Sequence, residues 1–268
     1  MNTKTTVTFL LALLLQFLAL ATGDAIAGDE PIADLRGKIT AEFAGRVPKQ
    51  WGENVSGVRT RLKTSEKVLA LTLDACGSRT GKGFDADLLG YLEQEQIPAT
   101  LFVNARWIDA NPVLFRKLAA NPLFEIANHG LLHRPASVTG RSAYGIQGTA
   151  NIGELVDEIE MNARKIEELT GKRPRFYRSG TAYYDEIAVA VSRRLGHEVT
   201  GYSVLGDAGA TYRREQVKKA LLGSQAGDII ILHMNHPESG TAPGVRSALP
   251  ELKRRGFSFV RLSECELQ

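Results

Sequence analysis

Five histidines stand at positions 129, 133, 197, 233 and 236. His129-Gly-Leu-Leu-His133 has a metal-ligand spacing. On a helical turn, residues four apart share a face, so both imidazoles can reach one ion. Two neutral imidazoles and a carboxylate suit zinc, cobalt, nickel or iron and leave positions open for water and substrate. The pair alone is a weak signal, since two satisfied histidines can share that spacing. Asp74 ends the run Leu71-Thr72-Leu73, Arg178 follows Phe176-Tyr177, and His233 follows Ile231-Leu232. A carboxylate, a guanidinium and an imidazole at strand ends stand where α/β proteins place their active sites. Their structural alternatives are a loop cap, a buried ion pair and a core histidine. Asp207 lies in the turn-like context Gly206-Asp207-Ala208. His197, next to Gly196, reads as a capping or surface residue. His236, in Asn-His-Pro, lies close enough to His233 in the chain to contact a substrate.

These residues share a rim only if the elements before them run the same way. Short β-like runs fall at 68–73, 100–103, 124–127, 175–177, 198–203, 228–232 and 257–262, with amphipathic helical patterns between most of them. The clearest helix is 152–169. Ile152, Leu155, Val156, Ile159, Ala163, Ile166 and Leu169 fall on one face, Asn151 and Glu154 form a capping pair, and Gly171 is the stop. Further helices are expected at 85–96, 110–120, 184–195, 213–223 and 244–255. Such alternation argues for a parallel sheet covered by helices, with the chemistry at the carboxyl edge of the strands. The pattern is open between a doubly wound sheet and a distorted barrel. The irregular stretch 135–150 is long enough to suggest a functional loop.

The chain has 268 residues, with 43% hydrophobic and 24% charged, which is globular rather than disordered. A net charge of +3 with no dense basic run gives no nucleic-acid footprint. Lys4, an apolar run from Val7 to Leu20 and Ala25-Ile26-Ala27 read as a secretory signal peptide over residues 1–27. The run is short of the ~20 residues a membrane-spanning helix needs. The expected mature protein is therefore exported, periplasmic or secreted, with no membrane span after cleavage. Residues 28–66, mixed and polar, read as an N-terminal extension lying on the domain, and 67–268 as that domain.

The order Leu71-Thr72-Leu73-Asp74, His129-Gly-Leu-Leu-His133-Arg134, Arg178 and Ile231-Leu232-His233 resembles the polysaccharide deacetylases with a NodB-homology domain, the family-four carbohydrate esterases. The resemblance spans about residues 67 to 264. It implies a distorted (β/α) barrel of about seven parallel strands, and metal-dependent hydrolysis of an N- or O-acetyl group on a sugar. Matched by position, His129 and His133 resemble the two metal-binding histidines, and Asp74 the first Asp of the Thr-Phe-Asp-Asp-Gly signature, the catalytic base. His233 resembles the general acid, Arg178 the arginine bracing the base, and Asp207 the acidic residue orienting the acid histidine. The implied cofactor is a divalent ion, zinc with cobalt or nickel as alternatives, and the implied partner is an acetylated glycan. Trp107, Tyr183, Tyr184 and the 135–150 loop are candidates for a sugar platform.

The chain departs from the family pattern in two places. The second Asp of the signature is missing, since Asp74 is followed by Ala75-Cys76-Gly77, and the arginine motif reads Arg178-Ser-Gly-Thr-Ala-Tyr-Tyr184 without its prolines. Three replacements for the lost carboxylate are open: Asp74 itself on the metal, a water, or Cys76 as thiolate. A glycan-binding protein that retains the fold with impaired catalysis is the rival reading. In a closed seven-stranded barrel the last strand neighbours the first, which would place Cys76 and Cys265 at one rim and allow a disulfide.

Overall fold

A computed structural model describes residues 30–268. The signal-peptide reading, residues 1–27, lies outside them. Among the described residues no helix is long and apolar enough to cross a membrane. The extension opens with α1 (Ile32–Glu42), which buries Leu35 and Ile39. Strands and helices then follow in the order β1 (Val68–Ala75), α2 (Ala86–Gln94), β2 (Ala99–Val103), α3 (Ala105–Ala110), α4 (Pro112–Ala120), β3 (Phe124–Asn128) and α5 (Ile152–Thr170). The second half comprises β4 (Phe176–Tyr177), α6 (Glu186–Arg194), β5 (Glu198–Val199), β6 (Val204–Leu205), α7 (Arg214–Leu222), β7 (Ile229–His233), α8 (Thr241–Arg254) and β8 (Ser258–Val260). Local signals set the helix ends. Asn151 caps α5 by accepting from Glu154 N–H, and Gly171 ends it at φ 70° in the left-handed region.

All strand pairs are parallel, in the order β5-β4-β3-β2-β1-β7-β6, with β8 paired to β1. The expected fifth strand, 198–203, is only β5 at Glu198–Val199; the chain then leaves the sheet and returns as β6 at Val204–Leu205, beyond the expected run. β8 pairs Val68–Ala70 while β2 pairs Thr72–Ala75, so β8 occupies the lower half of β1.

The two-residue period of the strands builds the interior. Leu69, Leu71, Leu73 and Ala75 of β1 point outward into a core shared with α2, α7 and α8. Ala70 points inward, and with Phe102, Ala127, Phe176 and Ile229 from four other strands forms a closed apolar floor. Side chains from five strands can meet there because the sheet curls on itself. Leu262 and Leu267, from the C-terminal segment, plug this floor.

The extension closes the gap between β5 and β7. Arg59 N–H donates to Val199 O, Gly201 N–H donates to Arg59 O, and Leu62 N–H donates to Gly227 O. The C-terminal residue joins this strap, with Thr60 N–H donating to Gln268 O and Gln268 N–H to Arg61 O. The extension is therefore part of the barrel wall as well as a cover.

Both cysteines are free. Cys76 lies at the carboxyl rim beside His129, whereas Cys265 packs against the floor cluster. The expected pairing fails because β8 sits low on β1 and the 3₁₀ turn Leu262–Glu264 carries the chain under the barrel.

Candidate metal and acid–base site

The same period continues upward from the floor. Thr72, Asp74 and then Cys76 follow Ala70 on the inner face of β1, His129 follows Ala127, Arg178 follows Phe176, and His233 ends β7. The rim thereby receives a carboxylate, a thiol, imidazoles and a guanidinium.

Arg178 is fully buried under the site. Its Nη1 donates to Asp74 Oδ1 at 2.7 Å and to Thr72 Oγ1 at 3.0 Å. Its Nε and Nη2 donate to Thr200 O and Gly201 O, and its guanidinium stacks 4.1 Å from the Phe102 ring centroid. One side chain thus steadies Asp74 and satisfies the backbone where the fifth strand breaks. The other carboxylate oxygen, Oδ2, lies 3.6 Å from His129 Nε2.

His129 and His133 are brought together by a loop, not by the expected helical turn. Gly130 at φ 76° and His133 at φ 62° both take left-handed backbone, which folds the segment back on itself. The rings meet edge to face with centroids 4.9 Å apart. Three polar residues clamp the loop. Asn104 donates to His129 O and Gly130 O, Asn128 accepts from Gly130 N–H, and Glu158 accepts from Leu132 N–H and Arg134 N–H. Burial pushes Glu158 up to about 7 despite these donors. A Cβ at Gly180 would fall 2.3 Å from the His133 carbonyl carbon, so the His133 backbone needs glycine opposite it.

His129 Nδ1–H donates to Arg178 O at 3.0 Å, which leaves Nε2 as the ring atom that faces Cys76 and Asp74. Such a fixed tautomer is the usual support for a metal-binding imidazole. Cys76 Sγ lies 3.8 Å from His129 Nε2. Donor atoms of Cys76, His129 and His133 all lie within 4.8 Å of one another. His133 Nε2 is buried without a hydrogen-bond partner among the described residues. A buried polar atom left unpaired costs free energy unless something meets it. Zinc bonds of about 2.0–2.3 Å to nitrogen and sulfur require donors within about 4.5 Å, so small side-chain rotations suffice. The residues present fit a divalent ion. Burial would raise the Cys76 thiol, but the His133 charge and hydrogen bonds from the surrounding imidazoles outweigh it and hold the thiol well below its usual value.

His233 belongs to a second braced pair. Its Nδ1 lies 2.8 Å from Asp207 Oδ1, its own N–H donates to Asp207 Oδ2, and Thr241 Oγ1 donates to the same oxygen. Burial would lower the His233 value, but the Asp207 carboxylate raises it well above the ordinary imidazole range.

Other sequence expectations separate. His236 lies near the rim and pairs with Glu238. His197 is buried, not a surface cap, and neither ring nitrogen has a partner among the described residues. Trp107 and Tyr184 are fully buried, and the Trp107 indole donates to Gly83 O, so neither forms a platform. Tyr183 instead meets Trp51 of the extension and Tyr144 of the 135–150 loop, with ring centroids 5.8 and 5.3 Å away. The Tyr144 hydroxyl donates to Glu53. Nothing in the local sequence announces Trp51 or Glu53, because the strap alone brings them to the rim. Glu158 is missed by the sequence reading, and the signal that could have found it is a carboxylate on the buried face of an amphipathic helix.

A model of the polysaccharide deacetylase family matches residues 61–200. The peptidoglycan-N-acetylglucosamine deacetylase of Bacillus cereus is 24% identical over 77% of this chain and 92% of its own. The chitooligosaccharide deacetylase of Bradyrhizobium is 25% identical over 66% of this chain and 82% of its own. Among solved structures, a family 4 carbohydrate esterase pseudoenzyme of Bacillus anthracis superposes with TM-score 0.65 at 19% identity, covering 80% of this chain and 70% of that one.

Proposed function

The chain belongs to the polysaccharide deacetylase family, and from that premise we propose that it is a metal-dependent hydrolase that removes acetyl groups, N-acetyl foremost, from an exported sugar polymer or oligomer. The observation that carries this reading is the pair of separately braced proton-transfer groups. Asp74 is held by Arg178 and His233 by Asp207, on the paired ends of β1 and β7 at the rim that also carries the histidine pair.

A divalent ion held by His129 and His133 would polarise the acetyl carbonyl and lower the pKa of water at the site. Asp74 takes the proton of the attacking water, through the oxygen that Arg178 leaves free. Arg178 holds that carboxylate in place by one oxygen and leaves the other toward His129. The departing amine needs a proton, and His233 supplies it from the nitrogen facing away from Asp207. Asp207 fixes the tautomer and favours the charged imidazole. The Trp51, Tyr144 and Tyr183 corner offers aromatic faces to the sugar rings, as aromatic groups with polar tips commonly do.

The test is acetate release by the purified protein from acetylated chitin oligomers, peptidoglycan and acetylated xylan, before and after chelation. Release that is lost on chelation, and lost in His129→Ala and His133→Ala, is the expected result. The similarity to a pseudoenzyme and the absent second carboxylate favour one rival, a glycan-binding protein. Retained glycan binding with no acetate from any substrate would establish that rival instead.

A further inference from the structure

We propose that Cys76, as a thiolate, is the third protein ligand of the metal centre, so that the site selects zinc or cobalt(II) over the harder magnesium, manganese and calcium. The inference rests on the metal reading above.

The family's carboxylate is absent at residue 75, and the side chain there cannot take its place. Ala75 points outward and is enclosed in the core beneath the helices. Cys76, one residue on, returns to the inner face occupied by Asp74. Its sulfur lies 3.8 Å from His129 Nε2 and completes the three-donor group with His133. Asp74 is not part of that group, and its Oδ1 is committed to Arg178. The sulfur has no competing covalent use, because Cys265 lies at the floor of the barrel. His129 Nε2 faces the site because Nδ1 is bonded to Arg178 O, and His133 Nε2 is a buried atom with no partner among the described residues. Two imidazoles and a thiolate form a donor set that favours zinc or cobalt(II), whereas carboxylate and carbonyl sets suit magnesium, calcium and manganese. On binding, the thiol proton passes to solvent.

The test uses the exported chain with Cys265→Ser, which leaves Cys76 as the sole thiol. The protein is stripped with a chelator under reductant-free, anaerobic conditions and titrated with cobalt(II) and then zinc. A near-ultraviolet sulfur-to-cobalt charge-transfer band is expected at stoichiometric cobalt and is erased by zinc. Zinc is also expected to slow the reaction of the thiol with an aromatic disulfide. Cys76→Ser should remove the band and weaken zinc binding at least about tenfold, since even the loss of a supporting outer partner costs that much. Cys76→Asp should bind without the band and shift preference toward manganese. Cobalt bound by the wild-type thiol protein with no band, and with thiol reactivity unchanged, overturns the ligand assignment while leaving the metal reading intact. Failure to bind either ion, with His129→Ala indistinguishable, overturns both. The band and the thiol protection are read on the unsubstituted Cys76, so the result stands even where a Cys76 variant fails to fold.

Discussion

β2, β1 and β7 build one side of the barrel and β4, β5 and β6 the other, by different means. The first three strands have eight or five residues each and hold each other by continuous ladders. Their outward side chains, Leu71 and Leu73 among them, are fully buried under helices. The other three strands have two residues each. Their ladders are too short to carry the wall, and side chains and the N-terminal strap replace them. Arg178 donates to Thr200 O and Gly201 O, and Arg59 pairs its backbone with Val199 and Gly201. The short-stranded side therefore depends on buried polar groups, where the long-stranded side depends on apolar area. Asp74 belongs to one side and its guanidinium partner to the other, so the site is a seam between two modes of construction.

The largest effect is expected at that seam. Arg178→Met leaves Asp74 buried without its cation and two carbonyls without donors, a loss of about 3–5 kcal/mol. Urea unfolding should show it, and acetate release should fall with it. Combining Arg178→Met with Asp74→Asn should recover the part due to the unpaired charge and none of the part due to Thr200 and Gly201. Full recovery in the double variant would mean that Arg178 serves the site alone and that the wall does not need it.

On the long-stranded side, Leu71→Ala should cost about 2–4 kcal/mol by leaving a cavity under α7 and α8. Its signature differs from that of Arg178→Met. Stability falls while metal affinity and the pH profile of turnover stay as they were, because Leu71 faces away from the rim. A change in metal affinity would show that the outer core also tunes the site.

The strap gives a smaller effect. Arg61 pairs with Asp228 and donates to Ala226 O. Arg61→Ala should lower stability by about 2 kcal/mol, since Asp228 retains Ser203 and Gln225 as donors while losing its cation. Native-state hydrogen exchange should show faster opening around 199–204 and little change at Leu71–Leu73. Equal acceleration at both places would erase the distinction between the two sides.

The same difference governs what could be read in the sequence. The apolar runs of β1, β2, β3 and β7 announce themselves, since alternating burial needs β-prone residues in sequence. The helix expected at 152–169 is legible with its cap and stop, because Asn151 and Gly171 act locally, and it runs Ile152–Thr170. The family resemblance implies the barrel and the expected roles of Asp74, His233, Arg178 and Asp207, and the structure brings these residues to one rim, with the roles themselves proposals. What stayed hidden depends on contacts distant in sequence. The early end of β5 at Val199 goes with Arg178 capturing carbonyls 22 and 23 residues away. The loop that joins His129 to His133 is shaped by Glu158 and Gly180. The position of Cys265 follows from β8 sharing β1 with β2, which no count of strands reveals. Cys76 was one of three options on sequence grounds, and the two-residue period on β1 is what sets it beside the histidines.

His197 offers the finest discrimination between the two sides. It lies between α6 and β5, its ring 6.4 Å from that of Tyr177, and its nitrogens have no partner among the described residues. Burial, reinforced by the Arg173 charge, pushes its pKa down to about 3, against about 6.5 in an unfolded chain. The unfolded state therefore binds a proton first as the pH drops. The stability associated with a neutral His197 is present in full above about pH 7 and is lost progressively as the pH falls from there toward 3. Between pH 7 and pH 5 the loss is about 1–2 kcal/mol by that linkage. His197→Phe keeps a ring against Tyr177 and removes the titration. Its urea midpoint should therefore decline less between pH 7 and pH 5 than that of the wild type, with the difference concentrated in exchange-protected amides of β4 and β5. Parallel declines in the two proteins would place the acid sensitivity elsewhere and deny the short-stranded side its dependence on a buried neutral imidazole.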